Sequence, residues 1–265
     1  MEVTDRIAVV TGAGSGIGRA LAQRFVDRGA RFVVCTDLNA DNAAETANMI
    51  GDKASGHGLD VADEAAIEAL VADVTATHGG IDIFVSNAGY GQGGGLDLAT
   101  ADWEKMMTVH AWSHLSAARA VIPGMIERGG GYLLNTASAA GLLTQINSGP
   151  YAVSKHAAVA FAEWVAINYA DKGIGVSVLC PQAVRTNILG PAAVKAGTRN
   201  SGQASQDGVL EPEDVADECI KAMAEERFLV LPHPEVETYF QRKATDYDRW
   251  LNGMRRFRDR LAGKS

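Results

Sequence analysis

The stretch Thr11-Gly12-Ala13-Gly14-Ser15-Gly16-Ile17-Gly18 places four glycines between a continuous apolar run and a segment with helical periodicity. The run before it, residues 7–10, is typical of a strand that is buried on both faces of a sheet. After it, apolar side chains recur at helical spacing over residues 16–28, and Gly29 ends the pattern. Glycines at such a turn permit a tight bend and let backbone N–H groups approach a pyrophosphate at the helix N-terminus. The stretch therefore predicts a strand, a turn and a helix that together bind a dinucleotide.

Strand-like and helix-like segments alternate from this turn through most of the 265-residue chain. Such alternation implies right-handed crossovers and a doubly wound parallel sheet with helices on both faces, which is the Rossmann-type three-layer α/β fold. The predicted strands are 7–10, 31–35, 55–59, 81–85, 132–136, 174–179 and 228–231, and the predicted helices are 16–28, 40–50, 63–78, 101–127, 150–171 and 212–224.

The sequence contains neither an internal repeat nor a linker, so residues 1–265 are predicted to form a single dinucleotide-binding and catalytic domain. The alternating core covers about residues 5–232. Residues 187–210 are rich in Gly, Ser, Asn and Ala and are predicted to be a substrate lid. Residues 233–265 are predicted to form a charged, aromatic-bearing helical extension at the C-terminus.

Composition and charge restrict the possible partners. The chain has 24 Lys and Arg against 32 Asp and Glu, and its net charge of −8 makes nucleic acid a poor partner. The basic run Arg255–Arg260 is short and broken by Asp259, which favours a solvated helix face or a subunit contact. No apolar run reaches the roughly 20 residues of a membrane-spanning helix, and the N-terminus has no basic leader, so we expect a cytoplasmic protein that does not bind a membrane. The cysteines and histidines lack the spacing of disulfides or metal ligands, and we expect no metal.

Asp37 stands at the end of the second predicted strand, downstream of Gly18. A carboxylate at this place accepts hydrogen bonds from the adenosine ribose hydroxyls and repels a 2′-phosphate. Residues 36–40 contain no Arg or Lys, and position 15 is Ser. These features favour NAD over NADP as the cofactor. The alternative interpretation of Asp37 is a solvated loop charge.

Tyr151 and Lys155 are four residues apart on a predicted helix and share one face, and Ser138 follows the strand before that helix. Ionising a tyrosine with a reference pKa of about 10 costs roughly 4 kcal/mol at neutral pH. An ammonium about 4 Å away contributes on that order at an effective dielectric constant near 20. Tyr151 is therefore predicted to be a general base towards an alcohol and a general acid in reverse, with Ser138 hydrogen-bonded to the reacting oxygen.

In this order and spacing, the motifs of the chain resemble those of the short-chain dehydrogenase/reductase family over about residues 5–232. The resemblance implies a Rossmann-type fold and hydride transfer between NAD(P) and an alcohol or carbonyl. The matching motifs are Thr11–Gly18, Asp60-Val61, Asn87-Ala88-Gly89, Ser138, Tyr151-xxx-Lys155 and Pro181-x-x-Val184-x-Thr186.

The resemblance also implies how each segment contacts the cofactor. Asp60-Val61 brackets the adenine, and Asn87-Ala88-Gly89 supports the sheet and borders the ribose. Val184 and Thr186 hold the nicotinamide amide, and Lys155 also binds the nicotinamide ribose. Family members are commonly homotetramers or homodimers, and their contacts are built on the helices that correspond to the two longest predicted here.

Two positions depart from the family's pattern. His110, in the segment Val109–Ser113, replaces an Asn that holds a water of the proton relay behind the lysine. Because an imidazole can relay protons, His110 is predicted to keep a relay role, and the alternative is that it only fills space. Gln182 stands where Pro-Gly is usual and puts a side chain near the nicotinamide.

The substrate is expected beyond the carboxyl ends of the strands, where residues 90–97, 139–149 and 187–210 lie. The side chains there are mostly apolar and contain no cluster of Arg or Lys, so we expect a hydrophobic secondary alcohol or ketone that is cyclic, aryl or steroid-like. The residues of the C-terminal extension that are predicted to add aromatic walls are Tyr239, Phe240, Tyr247 and Trp250.

Three functions remain open at this point. The favoured one is an NAD-dependent secondary-alcohol dehydrogenase, whose direction rests on Asp37 because cellular NAD pools are usually oxidised. The second is an NAD(P)H-dependent ketoreductase. The third is an NAD(H)-binding regulator with little catalysis, which is supported only by the departures at His110 and Gln182.

Overall fold

Parallel strands form the centre of the computed structural model, which describes residues 1–189 and 202–263. The strands in these residues are β1 (Ile7–Thr11), β2 (Phe32–Asp37), β3 (Ala54–Gly58), β4 (Ile83–Ser86), β5 (Gly131–Thr136), β6 (Ile174–Leu179) and β7 (Leu229–Val230). They pair in the order β3-β2-β1-β4-β5-β6-β7, and every neighbouring pair is parallel. This confirms the predicted Rossmann-type α/β fold.

Helices cover the sheet and continue beyond it. The α-helices in the described residues are α1 (Gly16–Asp27), α2 (Ala40–Ile50), α3 (Glu64–His78), α4 (Thr100–Met107), α5 (Ser113–Glu127), α6 (Ala140–Leu143), α7 (Gly149–Tyr169), α8 (Pro212–Ala224), α9 (Glu235–Thr245) and α10 (Tyr247–Leu261). Local sequence sets several of their ends. The Asp63 carboxylate accepts the Ala66 N–H at the start of α3, and Gly79, in the left-handed conformation, ends that helix.

Alternate residues of the strands pack on opposite faces of the sheet, and this produces two cores. Ile7 and Val9 belong to the core beneath α3, α5 and α7. Ala8 and Val10 belong to the other core, with residues of α1 and α8. The chain turns to one side of β1 to form β2 and β3, and to the other side to form β4 and the remaining strands. The crevice beyond β1 and β4 is therefore the topological switch point, where α/β sheets bind their ligands.

The long helix predicted over residues 101–127 is interrupted. α4 and α5 are joined by a π-helical turn, Thr108–Trp112, which buries His110 and Ala111. Such a turn accommodates one extra residue and rotates the side chains that follow it, and it is often found at functional sites. Hydrophobic periodicity could not reveal it, because the apolar pattern continues through the turn.

The C-terminal extension consists of two helices joined at Asp246, whose carboxylate accepts the Arg249 N–H at the start of α10. α9 is attached to the catalytic side of the molecule, because buried Lys243 donates from Nζ to the Leu142 carbonyl oxygen at 2.6 Å. Tyr239 and Trp250 pack at the edge of the core beneath α7. No helix within residues 1–189 and 202–263 is both long and apolar enough to cross a bilayer.

The predicted lid, residues 187–210, lies partly outside the described residues. Residues 190–201, which include Val194, lie outside the described residues. On either side of them, Asn187–Leu189 and Gln203–Ser205 form single 3₁₀ turns.

Candidate active site

The glycine-rich turn joins β1 to α1 at the switch point of the sheet. Gly12 has a φ of 65° and Gly16 a φ of 52°, a backbone region that favours glycine. A Cβ atom on Gly18 would lie 2.2 Å from the Gly12 carbonyl oxygen, so α1 can pack this closely only with glycine there. Gly12, Ser15 and Gly16 of the turn line a cavity at the N-terminus of this helix, which is a position that suits a pyrophosphate.

Asp37 lies against this turn. Its carboxylate accepts the N–H groups of Gly14 and Asn39, each at 3.0 Å. The nearby Arg19 is engaged by the Glu45 carboxylate at 2.7 Å and by the Gly14 carbonyl oxygen at 2.5 Å. Within the described part of the chain, the end of β2 thus offers a positioned carboxylate, and the neighbouring Arg19 guanidinium is already engaged, which fits a ribose with free hydroxyls.

Thr11 and Asn87 connect three strands at their carboxyl ends. The Thr11 hydroxyl oxygen accepts the N–H groups of Asn87 at 2.9 Å and Ala88 at 3.1 Å. The Asn87 side chain donates to the Thr11 carbonyl oxygen at 3.0 Å and accepts from the Thr136 hydroxyl at 3.2 Å. These bonds hold the floor of the crevice where β1, β4 and β5 end. The sequence identified Asn87 but assigned no role to Thr136.

The structure brings Ser138, Tyr151 and Lys155 together as predicted. Ser138 follows β5, and its oxygen accepts the Ala140 N–H at 3.1 Å, which fixes the hydroxyl at the start of α6. The Ser138 hydroxyl donates to the Pro181 carbonyl oxygen at 3.4 Å, and Ser138 and Tyr151 line the same cavity. Lys155, one turn along α7 from Tyr151, is buried, and its Nζ donates to the Thr136 carbonyl oxygen at 3.0 Å.

Burial shifts the pKa values of Tyr151 and Lys155. Burial raises the pKa of Tyr151, and the nearby Ser138 side chain partly opposes that rise. It lowers the pKa of Lys155 to about 8, so the ammonium is still the main form at neutral pH. The Lys155 Nζ lies 5.7 Å from the centre of the Tyr151 ring. The net effect of the protein groups is therefore to favour the protonated form of the Tyr151 hydroxyl.

His110 is fully buried in the π-helical turn, between the rings of Tyr90 and Tyr151. Its Nε2 accepts the Tyr90 N–H at 3.1 Å, so in the neutral ring the proton lies on Nδ1. Nδ1 is 3.0 Å from the Ser154 hydroxyl, which donates to the Tyr151 carbonyl oxygen at 3.1 Å. Burial and the charge of Lys155 lower the pKa of His110 far below its usual value. Both ring nitrogens are thus engaged in fixed bonds to the site's framework.

Gln182 is held by the C-terminal part of the chain. Its side-chain amide donates to the Asp207 carboxylate at 2.7 Å, and Tyr239 of α9 donates to the same carboxylate at 3.0 Å. Its backbone N–H donates to Nδ1 of buried His233 at 3.2 Å. No sequence pattern indicated Asp207 or His233, because their partners are distant in the chain.

A cavity of about 530 Å³ brings most of the predicted residues together. Gly18, Asp60 and Val61 are not in its lining: Gly18 is packed behind the turn, Asp60 is exposed and Val61 belongs to a core. The predicted cofactor and catalytic residues that do line it are Gly12, Ser15, Gly16, Ile17, Asp37, Asn87, Ala88, Gly89, His110, Ser138, Tyr151, Lys155, Pro181, Val184 and Thr186.

The substrate side of this cavity is more polar than predicted. Ala139 and Leu142, which were expected to line it, are buried in a core. The nearby side chains that do line it include Gln92, Gln145 and Asn147. The apolar run after Ser138 forms the short helix α6, which turns those side chains inward. Among the described residues, no three His, Cys, Asp or Glu side chains are grouped as a metal site would require.

The chain is similar to known proteins over most of its length. The family model described as short chain dehydrogenase matches residues 6–196. The 2-(R)-hydroxypropyl-CoM dehydrogenase of Xanthobacter autotrophicus is 36% identical over 190 residues, which cover 69% of this chain and 76% of that protein. The 1-deoxy-11-beta-hydroxypentalenate dehydrogenase of Streptomyces exfoliatus is 34% identical over 243 residues, which cover 89% of this chain and 86% of that protein.

A solved structure of a protein of the same kind is also similar to this chain. The short chain dehydrogenase/reductase from Burkholderia phymatum, solved in complex with NAD, matches with a TM-score of 0.83 at 30% sequence identity. The match covers 94% of this chain and 96% of that one.

Proposed function

The chain belongs to the short-chain dehydrogenase family, and from this premise we propose that it oxidises a secondary alcohol to a ketone with NAD. The observation that carries the proposal is that the glycine-rich turn and Ser138, Tyr151 and Lys155 line one and the same cavity. One half of that cavity suits a dinucleotide, and the other half holds an acid–base pair. Relatives named as dehydrogenases support the oxidative direction.

Each residue of the site has a separate role in the proposed reaction. Ser138 hydrogen-bonds the substrate oxygen and orients it towards the Tyr151 hydroxyl. Tyr151 takes the alcohol proton, and the Lys155 ammonium favours its ionised form. Bound NAD would accept the hydride, and its positive nicotinamide would help to lower the pKa of Tyr151. Asp37 and the Gly12–Gly18 turn would hold the adenosine ribose and the pyrophosphate.

A panel of aliphatic, cyclic, aryl and steroid secondary alcohols, offered with NAD and with NADP, tests this function. We expect NADH formation with at least one class of alcohol and little reduction of NADP. Faster turnover of ketones with NADPH would replace the proposal with a ketoreductase. No turnover in either direction, together with retained NADH binding, would contradict it in favour of a binding protein.

Replacing Asp37 by Ala is expected to reduce the preference for NAD over NADP by about 10- to 100-fold. Hydrogen bonds to a charged group contribute about 1.5–3 kcal/mol, and the variant also removes the repulsion of a 2′-phosphate. The ratio of kcat/KM for the two cofactors measures the change. Asp41→Ala is the matched control, because Asp41 is exposed on α2 and outside the cavity lining. An unchanged ratio in Asp37→Ala would contradict the assignment.

We propose that His110 positions the site and does not carry the proton, contrary to the relay role that the sequence favoured. The support is that Nε2 is occupied by the Tyr90 N–H and Nδ1 by Ser154. His110→Ala should lower kcat without moving the pH profile, and His110→Asn, which keeps an acceptor and a donor, should restore part of the loss. If His110→Ala instead removes a pH-dependent limb near neutrality, the relay role is correct.

We also propose that the protein is a homodimer or homotetramer. Two tryptophans stand half-exposed on the helices that the family resemblance assigned to subunit contacts, Trp112 at the π-helical turn and Trp164 on α7, and Ile167 beside Trp164 is 79% exposed. Large apolar side chains grouped at a surface mark protein contacts. Light scattering should give a multiple of the 27.9 kDa chain mass, and Trp164→Glu should lower it. A monomeric wild-type protein would contradict this proposal.

A further inference from the structure

A second cavity, of about 940 Å³, lies beside the catalytic one. It is lined by α9, α10 and residues of the segment 203–207, with Leu143 of α6 at one end. Gln182 lines both cavities, so they meet at that side chain. Its volume is in the range of sites for small organic ligands.

Four arginines line this second cavity. Arg242 comes from α9, and Arg249, Arg256 and Arg260 come from α10. The spacing of seven and four residues places the last three on one face of their helix. Within residues 1–189 and 202–263, none of the four takes part in an ion pair. The segment 190–201 contains no Asp or Glu.

The carboxylates of the cavity are already engaged. Asp207 accepts hydrogen bonds from Gln182 and Tyr239, and Asp246 accepts the Arg249 N–H as the cap of α10. Four arginines against two aspartates leave a formal excess of two positive charges at the cavity. This excess is a local feature of a chain whose net charge is −8.

Aromatic side chains stand beside the guanidinium groups. Trp250 and Phe257 of α10 line the cavity, and the Arg260 guanidinium lies 5.5 Å from the centre of the Phe257 ring. Tyr239 contributes a third ring. Phe240 and Tyr247, which the sequence also predicted as aromatic walls, are exposed and do not line it. The cavity therefore combines apolar surface with uncompensated positive charge.

We propose that this cavity binds an anionic group at the distal end of the substrate. The substrate class is an alcohol that is joined through an apolar segment to a carboxylate, sulfonate or phosphate. Its hydroxyl end reaches Ser138 and Tyr151, its apolar segment passes Gln182 and lies against Trp250, and its anion is bound by the arginines. The inference deepens the proposed function and rests on it. It revises the expectation of a purely hydrophobic substrate, because the charged cluster is assembled from helices that no single segment of sequence places together.

Isothermal titration calorimetry with the full-length protein tests the cavity directly. The probes are decanoate, decyl phosphate and decyltrimethylammonium, which share an apolar chain and differ in charge. We expect the two anions to bind at least about tenfold more tightly than the cation, since charge-assisted hydrogen bonds to arginine are strong. Added salt should weaken the binding of the anions. The relative affinities of decanoate and decyl phosphate distinguish a carboxylate-bearing substrate from a phosphate-bearing one.

A matched pair of double variants locates the binding. Arg249→Gln/Arg256→Gln removes two arginines of the cavity and should weaken decanoate binding by about tenfold. Arg255→Gln/Arg258→Gln removes the same charge from the other side of α10, where Arg255 bonds Asn252 and Arg258 pairs with Asp259, and should leave binding unchanged. Equal losses in the two double variants, or no preference for anions, would overturn the proposal. A lower molecular mass with unchanged decanoate binding in the first double variant would show instead that this face is a subunit contact.

The calorimetric result does not depend on turnover. Binding of decanoate at the cavity without oxidation of any alcohol would reject the proposed function and leave the anion site in place. Alcohol oxidation that needs Tyr151, without anion binding, would keep the proposed function and reject this inference.

Discussion

The Tyr151→Phe variant is expected to lose turnover while it keeps its fold and its affinity for NADH. The substitution removes only the phenolic hydroxyl, which shares a cavity with Ser138. The ring keeps its edge-on contact with His110, whose centroid is 5.5 Å away. General acid–base catalysis contributes about 10²- to 10⁴-fold, so kcat should fall by a factor in that range. Initial rates of NADH formation measure the loss, and quenching of tryptophan fluorescence by NADH measures binding.

The control for this experiment is another tyrosine. Tyr247 is 56% exposed and lies outside the lining of both cavities, so Tyr247→Phe should retain the wild-type rate. If Tyr151→Phe keeps wild-type activity, Tyr151 is not the acid–base residue. If it loses NADH binding and thermal stability as well as activity, its role is structural.

Mild acid is expected to destabilise the folded protein strongly, because three histidines are buried in their neutral form. His110, His114 and His233 are each at most 2% exposed. Burial lowers the pKa of His114 to about 3, with a contribution from the charge of Lys155, and it lowers the pKa values of His110 and His233 as well. Neither ring nitrogen of His114 has a hydrogen-bond partner within the described residues.

The sign of the effect follows from proton uptake. Above a pH of about 6.5, these histidines are neutral in both the folded and the unfolded chain, and their contribution to stability is fully present. Below that pH the unfolded chain binds protons that the folded chain excludes, so the free energy of unfolding falls. Each such histidine contributes up to about 1.4 kcal/mol per pH unit until its folded pKa is reached. Protonation of two such histidines would therefore lower the free energy of unfolding by up to about 5 kcal/mol over two pH units. This loss is comparable to the whole stability of many domains.

Urea unfolding at a series of pH values between neutrality and mild acid measures this loss. His114→Leu removes one titrating group without removing a hydrogen bond, so its stability should depend less steeply on pH than that of the wild type. His57 is exposed, and His57→Gln should leave the slope unchanged. Identical slopes for the wild type and His114→Leu would show that His114 is protonated in the folded protein too.

Local sequence determined the arrangement of strands and helices and most of the site. In the sequence most of the buried strands appear as short runs rich in apolar residues, and four of the seven predicted strands are followed directly by a polar residue: Thr11, Thr36, Asp60 or Ser86. Because parallel strands place their carboxyl ends at one edge, the residues after them were predicted to meet, and Asp37, Asn87, Ser138 and Thr186 do line one cavity. Tyr151 and Lys155 were predictable for a similar reason, because a separation of four residues places side chains on one helix face.

Tertiary structure determined the properties of the site that depend on contacts between residues distant in the chain. The sequence named His110, but only the contacts with Tyr90 and Ser154 show which nitrogen carries its proton. The sequence showed a basic tail. Only the packing of α9 beside α10 brings Arg242 and Arg256 to the same cavity, which adjoins the active site. Periodicity reports which face of an element is buried, and it contains no information on which other element covers that face. Charge, protonation and specificity in this protein depend on those pairings, and therefore they follow from the fold.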